Sequence, residues 1–254
     1  MKKITQAVIL AGGRGERLRP LTNDLPKPLA PVNGIPFLDY LIQSMQEVGI
    51  KRILLLLGYQ SEKVVEHYRS WGARQELRIE FSIGRIDDLT GRRVLNAYDL
   101  LQEEFLLAYG DNYWPIEFEK MIQLFRQQNV GAMTTVFSNK NGTGEYGAQN
   151  NVEVTSNSLV KRYDKTRKSD HLTGVDIGYF LVKKSALDFA SQDNISFEEY
   201  FLPRFVEQKQ LAAYVTDRQY YYITDIPSLR RFEEFVIQNE IKFLAIEHLV
   251  KETG

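Results

Sequence analysis

The chain has no cysteine and only three histidines, His67, His171 and His248. That removes disulfides, thiolate zinc sites and cysteine nucleophiles together, and it leaves few imidazoles for a transition-metal site. Long hydrophobic runs are also missing. Stretches such as Ile53-Leu54-Leu55-Leu56-Leu57 fall far short of the roughly 20 apolar residues that cross a bilayer. Lys2-Lys3 precedes Ala7-Val8-Ile9-Leu10-Ala11, which is too brief for a secretory core, so no membrane segment is expected and the chain reads as cytoplasmic. Neither sign of charge dominates: 32 Lys and Arg face 33 Asp and Glu. The basic field carried by non-specific nucleic-acid binders is therefore absent, and no nucleic-acid role is expected. What is present is globular: 254 residues, 43% hydrophobic. A chain of that size buries roughly 70% or more of its unfolded surface in one or two cores.

Short β-rich apolar runs alternate with amphipathic stretches through the first half, which argues for βαβ units around a mostly parallel sheet. The expected strands are Gln6–Leu10, Arg52–Leu57, Leu77–Ile83, Phe105–Tyr109 and Val130–Phe137. The expected helices are Pro36–Val48, a segment capped by Ser61 and running to about Trp71, Arg92–Gln102, and Phe118–Gln128. After Phe137 the pattern changes to short strands and polar turns, at Asn151–Thr155, Leu159–Tyr163, Val175–Val182, Leu211–Val215 and Tyr220–Ile223, with a helix over Phe197–Val206. A last helix is expected from about Pro227 to Val250. The reading is one domain over 1–254, with a core over about 1–137, a β-rich part over about 138–226 and a terminal helix over 227–250.

The loop Leu10-Ala11-Gly12-Gly13-Arg14-Gly15-Glu16-Arg17-Leu18-Arg19 follows the first strand, where the carboxyl end of a parallel sheet opens into a ligand crevice. Three glycines admit phosphate oxygens close to backbone amides, and three arginines supply charge at the same place. An ordinary glycine turn with solvated arginines fits the spacing equally well. No Gly-Lys-Ser/Thr follows, so this is not a P-loop; Leu18 stands where the dinucleotide fingerprint needs its third glycine. Next, Pro26 and Pro28 fix Lys27 between them, a preorganised cation near the glycine loop.

These residues resemble a known family. Gly12-Gly13-x-Gly15-x-Arg17-Leu18-x-Pro20-Leu21-Thr22 with Pro26-Lys27-Pro28 is similar to the signature of sugar-1-phosphate nucleotidyltransferases. The similarity continues in order through Gly34-x-Pro36, Gly49-Ile50, Gly58-Tyr59, Thr90-Gly91, Tyr109-Gly110-Asp111, Glu145-Tyr146-Gly147, Asp164-Lys165 and Asp176-x-Gly178. It implies an α/β fold: a Rossmann-like, mostly parallel sheet flanked by helices, with a small sugar-binding β-rich subdomain. It also implies that a sugar 1-phosphate oxygen attacks the α-phosphorus of a nucleoside triphosphate and expels pyrophosphate.

Such a reaction brings two anions into line and needs cations and orientation more than a base. By the family's pattern, Arg17 would hold the β- and γ-phosphates, Lys27 would neutralise the α-phosphate and the sugar phosphate, and Asp111 would bind Mg²⁺. Leu10, Ala11, Gly12, Gly13, Arg14, Gly15, Gly91 and Gly110 would face the nucleotide. Glu145, Gly147, Lys165 and Asp176 would face the sugar phosphate. Taken alone, Gly110-Asp111-Asn112 is also good turn chemistry, and Asp164-Lys165 with Thr166-Arg167-Lys168 also reads as a solvated charged loop.

The chain departs from the family near its end. Tyr222 stands where many members carry a second metal aspartate, and Asp225 is displaced by three, leaving either Asp225 as a ligand or a site built on Asp111, phosphates and water. Pro26 through Leu38, and Phe197-Glu198-Glu199 through Tyr214-Val215-Thr216-Asp217, resemble mannose- or heptose-1-phosphate guanylyltransferases. Thr90-Gly91-Arg92-Arg93-Val94 and Leu107–Asp111 resemble glucose-1-phosphate cytidylyltransferases. The expectation is guanylyl transfer to a mannose- or heptose-type 1-phosphate, serving capsule, lipopolysaccharide or other glycoconjugate precursors. The alternatives are a CTP-dependent cytidylyltransferase and, because of Tyr222, a non-catalytic nucleotide-sensing homologue. Tyr220–Tyr222 and the last helix can form a subunit interface, which allows a homodimer; Phe232, Phe235, Val236, Phe243, Leu244 and Ile246 read as core or dimer packing.

Overall fold

All five residues of β1 (Gln6–Leu10) are buried, as a run apolar on both faces requires of a central parallel strand. Gln6 is tolerated because its amide is satisfied: Nε2 donates to the Leu100 carbonyl at 2.9 Å and Oε1 accepts from the Gln102 amide at 2.7 Å. The computed structural model describes residues 3–69, 77–191, 193–239 and 241.

After β1 come the short pair β2 (Pro31–Val32) and β3 (Ile35–Pro36), then α1 (Phe37–Glu47), β4 (Arg52–Leu57), α2 (Ser61–Tyr68) and β5 (Arg78–Ile83). The chain continues through α3 (Thr90–Asn96), β6 (Glu104–Tyr109), β7 (Asn112–Tyr113), α4 (Phe118–Gln128) and β8 (Ala132–Phe137). It ends with β9 (Val152–Val154), β10 (Val160–Tyr163), β11 (Val175–Lys183), α5 (Leu202–Glu207), β12 (Leu211–Thr216), β13 (Tyr221–Tyr222) and α6 (Ile226–Gln238).

Seven strands form one sheet in the order β12-β8-β11-β6-β1-β4-β5. All its pairings are parallel except those of β11, which runs antiparallel to both β6 and β8. The expected mostly parallel, helix-flanked sheet is therefore present. The β-rich part is smaller than the sequence pattern implies, because β11 and β12 complete the main sheet, while the β9–β10 hairpin and the β7–β13 ribbon stay outside it. Ala7, Ile9, Ile53, Leu55, Leu106 and Ala108 face one core with α1, α4 and α6, and Val8, Leu10, Leu54, Leu56, Phe105 and Leu107 face the other. This alternation is the period-two consequence of the pleat.

α1 buries Phe37, Leu38, Leu41, Ile42 and Met45. It stops where Gly49 takes φ 90° and the Ile50 amide donates to the Met45 carbonyl at 3.1 Å, a glycine-terminated cap.

Three expected helices differ in detail. The segment read as Arg92–Gln102 is α3 followed by a 3₁₀ turn at Tyr98–Leu100, because the Ala97 amide donates to Val94 and tightens the last turn. The segment read as Phe197–Val206 is a π-helical turn over Phe197–Phe201 leading into α5; Pro203, having no N–H, cannot make the regular bond one turn back. At α2 the capping position belongs to Gln60, held at φ 48°, and Ser61 is already helical. The expected ends of α2 at Trp71 and of the last helix at Val250, with Phe243, Leu244 and Ile246, lie outside the described residues. Phe232 of α6 is fully buried, 5.1 Å from the Phe37 ring and 4.9 Å from the Tyr113 ring. Among the described residues no helix is long and apolar enough to cross a membrane.

Candidate active site

The chain leaves β1, builds β4 and β5 on one side of it, and returns to β6 on the other. The carboxyl ends of β1 and β6 therefore part where the strand order reverses, the place where open α/β sheets bind ligands. A cleft of about 600 Å³ opens there, walled by Leu10–Gly13 after β1 and Tyr109–Asp111 at the end of β6. Lys27 Nζ lies 2.7 Å from Asp111 Oδ2 in the same cleft. A second concavity of about 520 Å³, lined by Lys3, Glu103, Arg126 and Lys183 among others, holds none of the expected site residues.

Close backbone approaches build the cleft. The Gly110 amide donates to the Leu10 carbonyl at 2.9 Å, and a Cβ on Gly110 would fall 2.8 Å from that oxygen. Gly15 takes φ 66°, and a Cβ there would fall 2.7 Å from Lys27 Cβ. Its carbonyl accepts from Thr22 Oγ1 at 2.8 Å and from the Leu18 amide at 3.0 Å. Gly15 is thus the point at which the glycine loop, the Thr22 turn and the Lys27 stem meet. Around Gly13, by contrast, an added Cβ would meet nothing within 4 Å.

Leu10, Ala11, Gly12, Gly13, Arg14, Gly15, Arg17, Lys27, Gly110, Asp111 and Lys165 all line this one cleft. Lys165 is held by two carboxylates, Glu198 at 3.2 Å and Glu199 at 3.0 Å. The neighbouring Asp164 instead organises its own loop, accepting from Thr166 and Ser169, which holds its carboxyl well below the usual range. Glu145 stands beside the cleft, where Thr224 Oγ1 donates to its Oε1 at 3.5 Å. Burial and then the Asp111 charge push the Glu145 carboxyl up, against the pull of Arg17 and Lys27. Gly147 takes φ 60° and donates to the Gly144 carbonyl at 3.0 Å, closing the turn that carries Glu145.

Asp176 Oδ1 accepts from Thr134 Oγ1 at 2.7 Å and from the Gly178 amide at 3.0 Å. Burial, reinforced by the Glu198 charge, pushes its carboxyl up to about 7 in spite of those bonds.

Two expected residues have other partners. Gly91 does not line the cleft: a Cβ there would fall 2.8 Å from the Ile195 carbonyl, so its small size serves the packing of α3 against the Ile195–Phe197 segment, and Thr90 faces the cleft instead. Asp225, expected as a metal ligand, caps α6. Its Oδ1 accepts from the Ser228 amide at 2.8 Å, while Ser228 Oγ accepts from the Asp225 amide at 3.0 Å, a reciprocal capping box. Tyr222 pairs in register with Asn112, and its hydroxyl accepts from Arg231 at 2.9 Å. From this segment it is Thr224 that reaches the cleft.

Sequence reasoning passed over Arg93, Asp88, Glu198, Glu199 and Thr224 as site residues, although all of them line the cleft. Arg93 is only 6% exposed. Its signal lay in Gly12 and Gly58, whose missing side chains leave the space it fills.

With this geometry in place, residues 6–236 match the family model described as Nucleotidyl transferase. The chain belongs to the nucleotidyl transferase family. The resemblance to sugar-1-phosphate nucleotidyltransferases is borne out by its relatives. It is 29% identical over 235 residues to the D-glycero-alpha-D-manno-heptose 1-phosphate guanylyltransferase of Campylobacter jejuni, covering 92% of this chain and 100% of that one. It is also 29% identical over 250 residues to a probable glucose-1-phosphate cytidylyltransferase of Bacillus subtilis, covering 90% of this chain and 94% of that one. Among solved structures, HddC of Yersinia pseudotuberculosis complexed with GMP-PN shares the fold, with a TM-score of 0.75 at 23% identity over 91% of this chain and 99% of that one.

Proposed function

We propose that the protein transfers guanylate from GTP to a mannose- or heptose-type 1-phosphate, releasing pyrophosphate. The observation that carries nucleotidyl transfer is the convergence of Arg17, Lys27 and Asp111 on a glycine-lined cleft at the switch point of the sheet. The sugar phosphate oxygen forms the new bond to the α-phosphorus as the bond to pyrophosphate breaks. Lys27 neutralises the two phosphates that must approach each other, Arg17 holds the leaving pyrophosphate, and Glu145, Lys165 and Asp176 orient the acceptor. Preorganised cations of this kind commonly supply on the order of 3–4 kcal/mol of transition-state stabilisation each.

Magnesium belongs to the same proposal. Among the described residues no three His, Cys, Asp or Glu side chains gather to cage a metal. Asp111 offers one hard carboxylate at the end of β6, and Mg²⁺ ordinarily takes one or two carboxylates and completes its shell with phosphate oxygens and water. The donor set suits that ion, which when bound would offset phosphate charge.

Guanine is favoured by full-length similarity to heptose 1-phosphate guanylyltransferases of both Campylobacter jejuni and Aneurinibacillus thermoaerophilus. Cytosine is the second reading, favoured by the Bacillus subtilis relative at equal identity. Pyrophosphate release with Mg²⁺, comparing GTP with CTP against hexose and heptose 1-phosphates, separates them: turnover with GTP supports the first reading, and turnover confined to CTP replaces it with the second.

A further inference from the structure

The backbone around Asp111 is tied down on both sides. Before it, the Gly110 amide donates to the Leu10 carbonyl at 2.9 Å, and its own carbonyl accepts from the Ile223 amide at 2.9 Å. Asn112, next in the chain, does not line the cleft. Its Nδ2 donates to the Ile177 carbonyl at 2.9 Å, and its carbonyl accepts from the Tyr179 hydroxyl at 2.8 Å. Both partners lie in one irregular stretch of β11. Asp176 pairs with Val136 of β8 and Phe180 with Thr134, so Ile177, Gly178 and Tyr179 stand opposite Thr135 alone, a bulge. Asp176 Oδ1 closes the bulge by accepting from the Gly178 amide at 3.0 Å. Gly178 takes φ 74°, and a Cβ there would fall 2.8 Å from Tyr109 Cδ2 and 3.2 Å from Asn112 Nδ2. Tyr179 is fully buried, its ring 5.7 Å from that of Trp114. Burial pushes its phenol up, so the hydroxyl keeps its proton and donates.

We propose that Asn112, clamped by the β11 bulge, is the positioning residue of Asp111 and presents its carboxylate to the divalent cation carried by the triphosphate. The inference rests on the functional reading above, in which Asp111 is the magnesium ligand. A bulge beside a site re-aims groups that a regular strand would carry past it, and here it offers Asn112 one acceptor, the Ile177 carbonyl, and one donor, the Tyr179 hydroxyl. Side chain and backbone of the residue after Asp111 are fixed together. Groups that hold a metal ligand in place set its orientation, and losing one typically costs about 10–100-fold in metal affinity. The same clamp accounts for Gly178 without any sugar contact, because Tyr109 and Asn112 occupy the space its side chain would need.

The test is calorimetric titration of GTP, and of CTP, into wild type, Asn112→Ala, Asp111→Ala and the double variant Asp111→Ala/Asn112→Ala. No sugar phosphate is present, and the folding of each protein is checked by thermal melting. Each titration is run in EDTA and again at saturating Mg²⁺, and the ratio of the two Kd values is the gain in affinity due to the metal. In Asn112→Ala this gain is expected to fall about tenfold, while Kd in EDTA stays within about twofold of wild type. A merely structural loss would weaken both titrations alike. Because Asn112 acts through Asp111, the double variant is expected to show the same gain as Asp111→Ala alone. A gain within about threefold of wild type in folded Asn112→Ala, an equal loss in EDTA, or a further fall in the double variant overturns the inference. If Asn112→Ala fails to fold, Tyr179→Phe, which removes a single hydroxyl, decides by the same criteria. A folded wild type that binds neither triphosphate overturns the functional reading and this inference with it. One that binds equally well with and without Mg²⁺ overturns the magnesium part of that reading and this inference. A metal-dependent gain in wild type that Asn112→Ala leaves unmoved overturns this inference alone.

Discussion

Lys27 and Asp111, 84 positions apart in the chain, meet at 2.7 Å between Nζ and Oδ2, with side chains 14% and 31% exposed. Lys27 is delivered by a proline-flanked 3₁₀ turn and Asp111 by the end of β6, so the pair joins the two sides of the sheet's switch point. In the free protein each partly neutralises the other. The approach of phosphate gives the ammonium a second anion to hold.

Replacing Lys27 or Asp111 by alanine is expected to lower kcat by about 10²–10³-fold, the usual loss for a preorganised electrostatic contact. Because the pair is partly solvated, thermal melting should move by only a few degrees, so rate and fold are separable in the same preparations.

Asp225 gives a sharper distinction. If its carboxylate serves as the α6 cap, Asp225→Asn keeps both stability and turnover, because asparagine caps as well as aspartate, while Asp225→Ala costs about 1 kcal/mol. For a chain of this size that is a fall in Tm of roughly 2–4 °C. A large loss of turnover in a stable Asp225→Asn protein would restore the carboxylate to the metal site.

At Gly15 the left-handed φ of 66° and the 2.7 Å approach to Lys27 Cβ act together. A side chain in that backbone region costs roughly 1–2 kcal/mol, and the added methyl must also push on the stem of Lys27. Gly15→Ala is therefore expected to lose activity beyond its modest loss in Tm. Gly13→Ala, with open space around it, should melt like wild type.

The pH dependence of Asp176 follows from its carboxyl being pushed up to about 7 from an ordinary value of 3.8. A raised acid is favoured by folding in its neutral form, so its penalty is fully present above about pH 7 and fades as pH falls toward 3.8. Asp176→Asn is expected to melt above wild type at pH 8, with the difference shrinking steadily by pH 5. Melting curves of the two proteins across that range check the sign.

The strands and helices with a strong period were legible in the sequence: β1 and β4 as continuous apolar runs, α1 and α4 as helical stripes ending at Gly49 and Asn129. So were Gly12, Gly13 and Asp111, which follow strand ends, because a parallel sheet gathers its ligands at that edge, and Lys27, because two prolines fix it beside the glycine loop. Long-range pairing was not legible. Nothing local to Val175–Lys183 or Leu211–Thr216 says that these strands enter the main sheet. The burial of Arg93, beside Arg92 in the chain, was hidden for the same reason, since nothing local shows that Gly12 and Gly58 make room for it. Asp225 carried a second signal that was legible too: an aspartate two before a proline and three before Ser228 marks a helix start, and the capping box it forms there is what the structure shows.

The most direct test of nucleotidyl transfer at this cleft is pyrophosphate release by the wild-type protein with Mg²⁺ and a matched pair of triphosphate and sugar 1-phosphate, run beside Asp111→Ala. The account predicts one pyrophosphate for each nucleotide-sugar formed by the wild type, with nearly all of that turnover lost in the folded variant. Equal rates in the two proteins, or no release from any pair by a folded wild type, would contradict it.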